Sequence, residues 1–271
     1  GNDASADHEA DSGNSSVAPD AAPSSTADAS VDASSDAGET SWAPVSFGIT
    51  GKHIGGGDEI AIVYGGYTAT DAESQSWVSA LVTAKLAALH VGQIYAVRGP
   101  KDADYSSREI GNSTLAAALA SQTAASTIVV VAHSSGGFVA DELFTFASSD
   151  VLAKVAYFNL DGGSYAMNSA MVAKMKGVYI CAAHDPVAGN SENTSSDQNL
   201  HSDLAGSHLF MVDASGSGCN VGAGWCLHDT LIINHPHNPA NYDLALDYTD
   251  FTAGRVVTTS YVDQAVIDGV L

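Results

Sequence analysis

The chain has 271 residues, with 9 basic against 31 acidic side chains and a net charge of −22. That balance excludes nucleic acid and anionic membrane surfaces as partners, because both demand a basic patch. No run approaches the ~20 consecutive apolar residues of a membrane-spanning helix.

Residues 1–40 hold no Lys, Arg or aromatic residue and are dominated by Asp, Ser and Ala. Such a segment cannot bury enough apolar surface to offset its ordering entropy, so it reads as a disordered acidic stalk. Asp28, Asp32 and Asp36 recur at every fourth position, whereas a calcium loop needs acidic ligands at alternate positions around an ordering glycine. From residue 41 to 271 the pattern changes to apolar runs and glycine turns, a length that suits one α/β domain. The polar start is what a secreted, cell-surface or periplasmic protein shows after signal-peptide removal.

Glu59–Tyr64 (EIAIVY) is a short strand-type run closed by Gly65-Gly66. Val78, Leu81, Val82 and Leu89 then recur at helical spacing. Gly92–Arg98 reads as a strand, Thr114–Gln122 as an alanine-rich helix, and Thr127–Ala132 (TIVVVA) as a strand buried on both faces. Gly137–Ala147 is a helix with Val139, Leu143 and Phe146 on one side. Val155–Leu160 is a strand, Ser169–Lys176 a helix, Gly177–Ala182 a strand and Ser207–Val212 a last strand, with a short helix near Leu200 between the final two. This alternation predicts a doubly wound, mostly parallel sheet with right-handed crossovers.

The most specific signal is Val131-Ala-His-Ser-Ser-Gly-Gly137, which ends a buried strand and opens a helix. A serine on so sharp a turn adopts a strained backbone and needs small residues two positions away on each side. Ala132 and Gly136 meet that demand around Ser134. Around Ser135 the corresponding residue would be His133, which is too large. The helix that follows directs N–H groups at the turn, an arrangement that stabilises a developing oxyanion.

AHSSGG after TIVVV resembles the nucleophile elbow of the α/β-hydrolases, the lipase and esterase superfamily, and element order extends the resemblance over residues 58–235. The resemblance implies Ser134 as nucleophile and the Ser135 N–H as one oxyanion donor. The second donor falls to the Gly66 or Tyr67 backbone in Val-Tyr-Gly-Gly-Tyr67, with Tyr64 where the family often has histidine. The acid and then the histidine follow the serine in this family. His228 stands in the loop after the last strand and is the implied general base. His208 lies at the wrong end of its strand, His235 and His237 lie beyond, and His133 lines the elbow. The acid has two candidates, Asp185 after GVYICAA and Asp161 after VAYFNL, and family placement favours Asp185.

Cys181 lies in an apolar run and reads as a buried thiol. Cys219 and Cys226 flank a glycine-rich loop just before His228, and a disulfide between them would close a ring of about eight residues, worth about 2.5 kcal/mol. Such a pair fits an oxidising compartment. Zinc is disfavoured there, because it wants four ligands and His228 is required elsewhere; no metal or cofactor is expected. The stretch between Leu160 and Gly177 is too short for a lid domain, so an open cleft suited to bulky or surface-bound esters is expected. The expected activity is ester hydrolysis through an acyl-enzyme. An acyltransferase with the same residues, or a catalytically silent binding protein of the same fold, are the alternatives.

Overall fold

In the computed structural model the described residues are 41–101, 110–185, 189–190, 200, 202–213, 228–229 and 231–232. All belong to one compact unit spanning Ala37–Leu271. The expected stalk over residues 1–40 and the Cys219–Cys226 pair lie outside them.

A nine-stranded sheet forms the centre, in the order β1-β2-β4-β3-β5-β6-β7-β8, with β9 also pairing with β7. Its strands are β1 (Ala43–Ser46), β2 (Ile49–His53), β3 (Glu59–Tyr64), β4 (Val91–Val97), β5 (Ile128–His133), β6 (Val155–Leu160), β7 (Gly177–Asp185), β8 (Gly189–Asn190) and β9 (His208–Asp213). The pairs β4–β3, β3–β5, β5–β6, β6–β7 and β7–β9 are parallel, and β1, β2 and β8 join antiparallel. The helices are α1 (Asp71–Lys85), α2 (Asn112–Ser121), α3 (Gly136–Phe146), α4 (Ser149–Leu152) and α5 (Ser169–Val172). Among the described residues, no helix is long and apolar enough to cross a membrane.

The parallel strands are apolar on both sides because each side meets a separate core. Ile60, Ile62, Tyr64, Val130 and Tyr157 pack with α2 and α3 through Leu115, Leu119, Val139 and Leu143. The alternate residues Ala61, Val63, Val129, Val131 and Phe158 pack with Trp77, Val78 and Leu81 of α1. Period-two alternation therefore sorts one hydrophobic run into two cores.

Local chemistry sets the element ends. Thr70 and Glu73 form a capping box that starts α1: Glu73 N–H donates to Thr70 Oγ1 at 3.2 Å and Thr70 N–H to Glu73 Oε2 at 2.8 Å. Asn168 caps α5 by accepting from the Met171 N–H at 3.1 Å. That helix is shorter than the expected Ser169–Lys176, and Lys176 N–H donates to Val155 O at 2.8 Å and joins the sheet. The β1–β2 hairpin has no clear alternating signal. Its Gly51 lies under the Tyr95 ring, where a Cβ would come within 3.0 Å of Cε1.

Candidate active site

Ser134 follows the last residue of β5 and precedes α3, with φ +54. This left-handed conformation costs a non-glycine residue roughly 1–3 kcal/mol and is held only where the surroundings fix it. Here Ser134 N–H donates to Leu160 O at 3.0 Å and Gly137 N–H donates to Ser134 O at 3.0 Å. A Cβ on Gly136 would lie 2.6 Å from Gly65 O and 2.7 Å from Tyr64 O, so the turn passes against the end of β3 at a distance open only to glycine. Ala132, on the other side, is fully buried.

The turn after β3 crosses directly beside the serine. A Cβ on Gly66 would come within 3.2 Å of Ser134 Cβ and 3.1 Å of His133 Nδ1. Three backbone bonds pin this turn: Gly65 N–H to Val97 O at 2.9 Å, Thr68 N–H to Pro100 O at 2.8 Å and Ala69 N–H to Gly66 O at 2.9 Å. Below it, the Tyr64 hydroxyl donates to Asn112 Oδ1 at 2.7 Å, and Asn112 Nδ2 donates to Val139 O at 2.7 Å. Burial, with Glu142 adding to it, pushes the Tyr64 phenol well above its ordinary 10.0, so it remains a neutral donor tying β3 to α2 and α3. Tyr67 is half exposed at the rim. Ser135 occupies the N-cap position of α3, where backbone N–H groups lack intrahelical acceptors.

His228 and Asp161 are both buried, and His228 Nδ1 lies 2.5 Å from Asp161 Oδ2. The expectation that favoured Asp185 as the partner of His228 is corrected: the carboxylate against Nδ1 is that of Asp161. Strand register gives the reason. Leu160 pairs with Cys181, so Asp161 is level with Ala182. The sequence reading ends β7 near that point, but the strand continues to Asp185. Three further residues at ~3.3 Å each carry Asp185 about 10 Å past the level of Asp161. Asp161 also takes φ +50, its N–H donates to Cys181 O at 2.6 Å, and Gly162 N–H donates to Asn159 Oδ1 at 2.8 Å. Leu231 and Ile232 are buried in the α1-side core and hold the segment after His228.

Ser134, Gly66, Asp161 and His228 are thus linked through a few shared contacts. Among the described residues, no hydrogen bond joins Ser134 Oγ to the His228 imidazole. Two residues at the site carry more than their sequence context signals. His133 Nε2 lies 2.9 Å from the His228 carbonyl oxygen. Asp141 of α3 accepts from Ser164 Oγ at 2.5 Å, Tyr165 N–H at 2.6 Å and Ala166 N–H at 3.1 Å, fixing the loop that begins at Asp161. An acidic pair, Asp141-Glu142, in the otherwise apolar α3 is the sign of it in the sequence. The two glycines after Asp161 serve the same loop: a Cβ on Gly162 would sit 2.6 Å from Ser134 O, and one on Gly163 would enter the Phe138 ring.

Among the described residues, His133, His228 and Asp229 form the one group able to gather on a metal ion, with ligand atoms within 4.8 Å of one another. His228 Nδ1 is engaged by Asp161, and His133 Nε2 by the His228 carbonyl. Cys181 is buried on β7, as its apolar context predicts.

No family model and no curated protein matches the chain. Solved structures do. A predicted CIB-like hydrolase from Thermoplasma acidophilum is 15% identical, with a TM-score of 0.39, over 65% of this chain and 86% of the other. An esterase of Pyrococcus furiosus is 12% identical, with a TM-score of 0.39, over 60% and 77%. A poly(3-hydroxybutyrate) depolymerase from Bordetella parapertussis is 13% identical, with a TM-score of 0.42, over 82% and 87%. With its mostly parallel sheet, its helices on both faces and a strained serine turn at the end of the central β5, the chain has the α/β-hydrolase fold.

Proposed function

We propose that the protein is a serine hydrolase that cleaves carboxylic esters through an acyl-enzyme. The observation that carries this reading is the left-handed Ser134 turn beside a buried Asp161–His228 pair. Structural glycine turns need no strained serine, and a core histidine needs no buried carboxylate on Nδ1.

In this mechanism Asp161 accepts a hydrogen bond from the His228 Nδ1–H, which keeps the proton on Nδ1 and leaves Nε2 as the lone-pair nitrogen. His228 Nε2 takes the proton of Ser134 as Oγ attacks the ester carbonyl carbon. Oγ–C forms, and the carbonyl π pair moves onto oxygen. The oxyanion is met by the Ser135 N–H and by the backbone N–H of Gly66 or Tyr67, donors held in place before the reaction. Collapse breaks the C–O bond, and the imidazolium gives its proton to the leaving alcohol. Water then repeats the sequence on the acyl-enzyme and releases the acid. In hydrolases without substrate the Ser–His bond is often long and tightens on binding.

Only the short helix α5 lies between β6 and β7, which favours an open cleft and a bulky or surface-bound ester. The Cys219–Cys226 pair supports a site of action outside the reducing cytosol. The test is a fluorophosphonate probe followed by peptide mapping. Labelling of Ser134, lost in Ser134→Ala together with turnover of short chromogenic esters, is the expected result. A folded protein that neither reacts nor turns over esters would be a silent binding relative, and this proposal would be wrong.

A further inference from the structure

His133 is 2% exposed, lies between the central strand and the nucleophile, and takes no step in the mechanism above. Its Nε2 is 2.9 Å from the backbone oxygen of His228. A carbonyl only accepts, so Nε2 carries the proton and His133 is the donor. The two imidazole rings also touch, with centroids 4.6 Å apart and planes tilted by 39°. Trp77 of α1 also meets the His133 ring edge-on, with centroids 6.2 Å apart, and Gly66 backs its Nδ1.

The geometry points to His133 as the positioning residue that sets the His228 imidazole against Ser134. The inference rests on the reading of His228 as the general base. Asp161 engages that imidazole at Nδ1. His133 supplies a second attachment, on the main chain and on the ring of the same residue. Because His133 and Ser134 are consecutive, this attachment ties the base to the strand end that carries the nucleophile.

Two variants separate the hydrogen bond from mere filling of space. His133→Phe keeps a ring against His228 and removes the donor. His133→Gln loses the ring and keeps a side-chain N–H near the position of Nε2. Turnover gives kcat and KM. Proton NMR of the downfield His228 Nδ1–H, assigned by its loss in Asp161→Asn and recorded in a Ser134→Ala background, gives a readout independent of activity. His133→Phe should lower kcat about 10- to 100-fold, as small misplacements of reacting groups do, with KM nearly unchanged. It should also shift or broaden the Nδ1 proton. His133→Gln should recover most of kcat and keep the proton resonance. Wild-type kcat with an unshifted proton in His133→Phe would overturn the inference. So would equal losses in both variants with equally lowered melting temperatures, since volume alone would then matter. If no variant, nor the parent, turns over esters while the proton responds as expected, the hydrolase reading fails and the anchoring by His133 stands.

Discussion

Replacing Asp161 by Asn tests the acid assignment with little disturbance of the backbone. Asp161 holds φ +50, a conformation that asparagine tolerates as well as aspartate does, so the change adds no strain that alanine would bring. Side-chain volume is kept, and the backbone bond to Cys181 O is untouched. What changes is the group 2.5 Å from His228 Nδ1. A carboxylate only accepts and so fixes the proton on Nδ1. An amide is able to turn its NH2 toward Nδ1, which moves the ring proton to Nε2 and removes the lone pair that must accept from Ser134. A triad acid changed in this way costs roughly 10⁴ in kcat, or about 5.5 kcal/mol. KM should stay within a few-fold, because the cleft and oxyanion donors are unaltered. Asp185→Asn is the matched control. A charge about 10 Å away, taken at the dielectric of water, interacts by only about 0.4 kcal/mol, so its effect on kcat should be about twofold. Steady-state kinetics on a chromogenic ester, with circular dichroism melts to verify folding, measure both. If Asp185→Asn proves severe and Asp161→Asn mild, the buried Asp161–His228 bond is structural and the argument from register is wrong.

Gly136→Ala places a methyl 2.6 Å from Gly65 O and 2.7 Å from Tyr64 O, both backbone atoms, so the turn or the end of β3 must move. A loss of about 1–3 kcal/mol in urea denaturation, together with reduced kcat, is expected; an unchanged enzyme would mean the elbow is looser than its contacts indicate. Asp141 is 1% exposed, and burial raises its pKa from 3.8 to about 6 against the opposing effect of the Ser164, Ala166, Tyr165 and Met167 hydrogen bonds. Between these values the folded state holds a proton that the unfolded chain has lost, so this residue contributes stability that grows as pH falls through 6. The gain from pH 7 to pH 5 is about 1 kcal/mol relative to Asp141→Asn, and identical pH slopes for the two proteins in urea melts would refute it. Deleting residues 1–40 should leave melting temperature and turnover unchanged; a large loss of stability would show that the segment packs on the domain.

The parts of this molecule that follow from local rules were legible in its sequence. Val155–Leu160 reads as a strand and is β6, because a run of apolar residues of that length, bounded by polar and glycine-rich turns, has few other uses. The elbow was legible for a steric reason: a serine flanked at two positions by Ala132 and Gly136 fits a left-handed turn, and few other structures require that spacing. Elements whose stability comes from distant partners were not legible. The β1–β2 hairpin pairs with β4, and Gly51 sits tightly against the side chains of Tyr95 and Val45.

The proposed acid is the instructive case, since both candidates end apolar strands and both precede loops. Sequence separates them only by where the second strand stops, and strand ends are set by pairing partners. The two-residue β8 pairs antiparallel with His184 and Asp185, and β9 pairs with β7 through His184, so β7 is carried past the level of the serine. Asp161 stays level with it, because β6 ends where its neighbour β5 ends, with His133 opposite Leu160. The same pairing explains why the loop after β6 needs the buried Asp141 and two glycines. Asp161, on the strand next to Ser134, has little room, and its loop turns back at once between Ser134 O and the Phe138 ring. Site geometry here is therefore a consequence of sheet register, which one strand read alone does not contain.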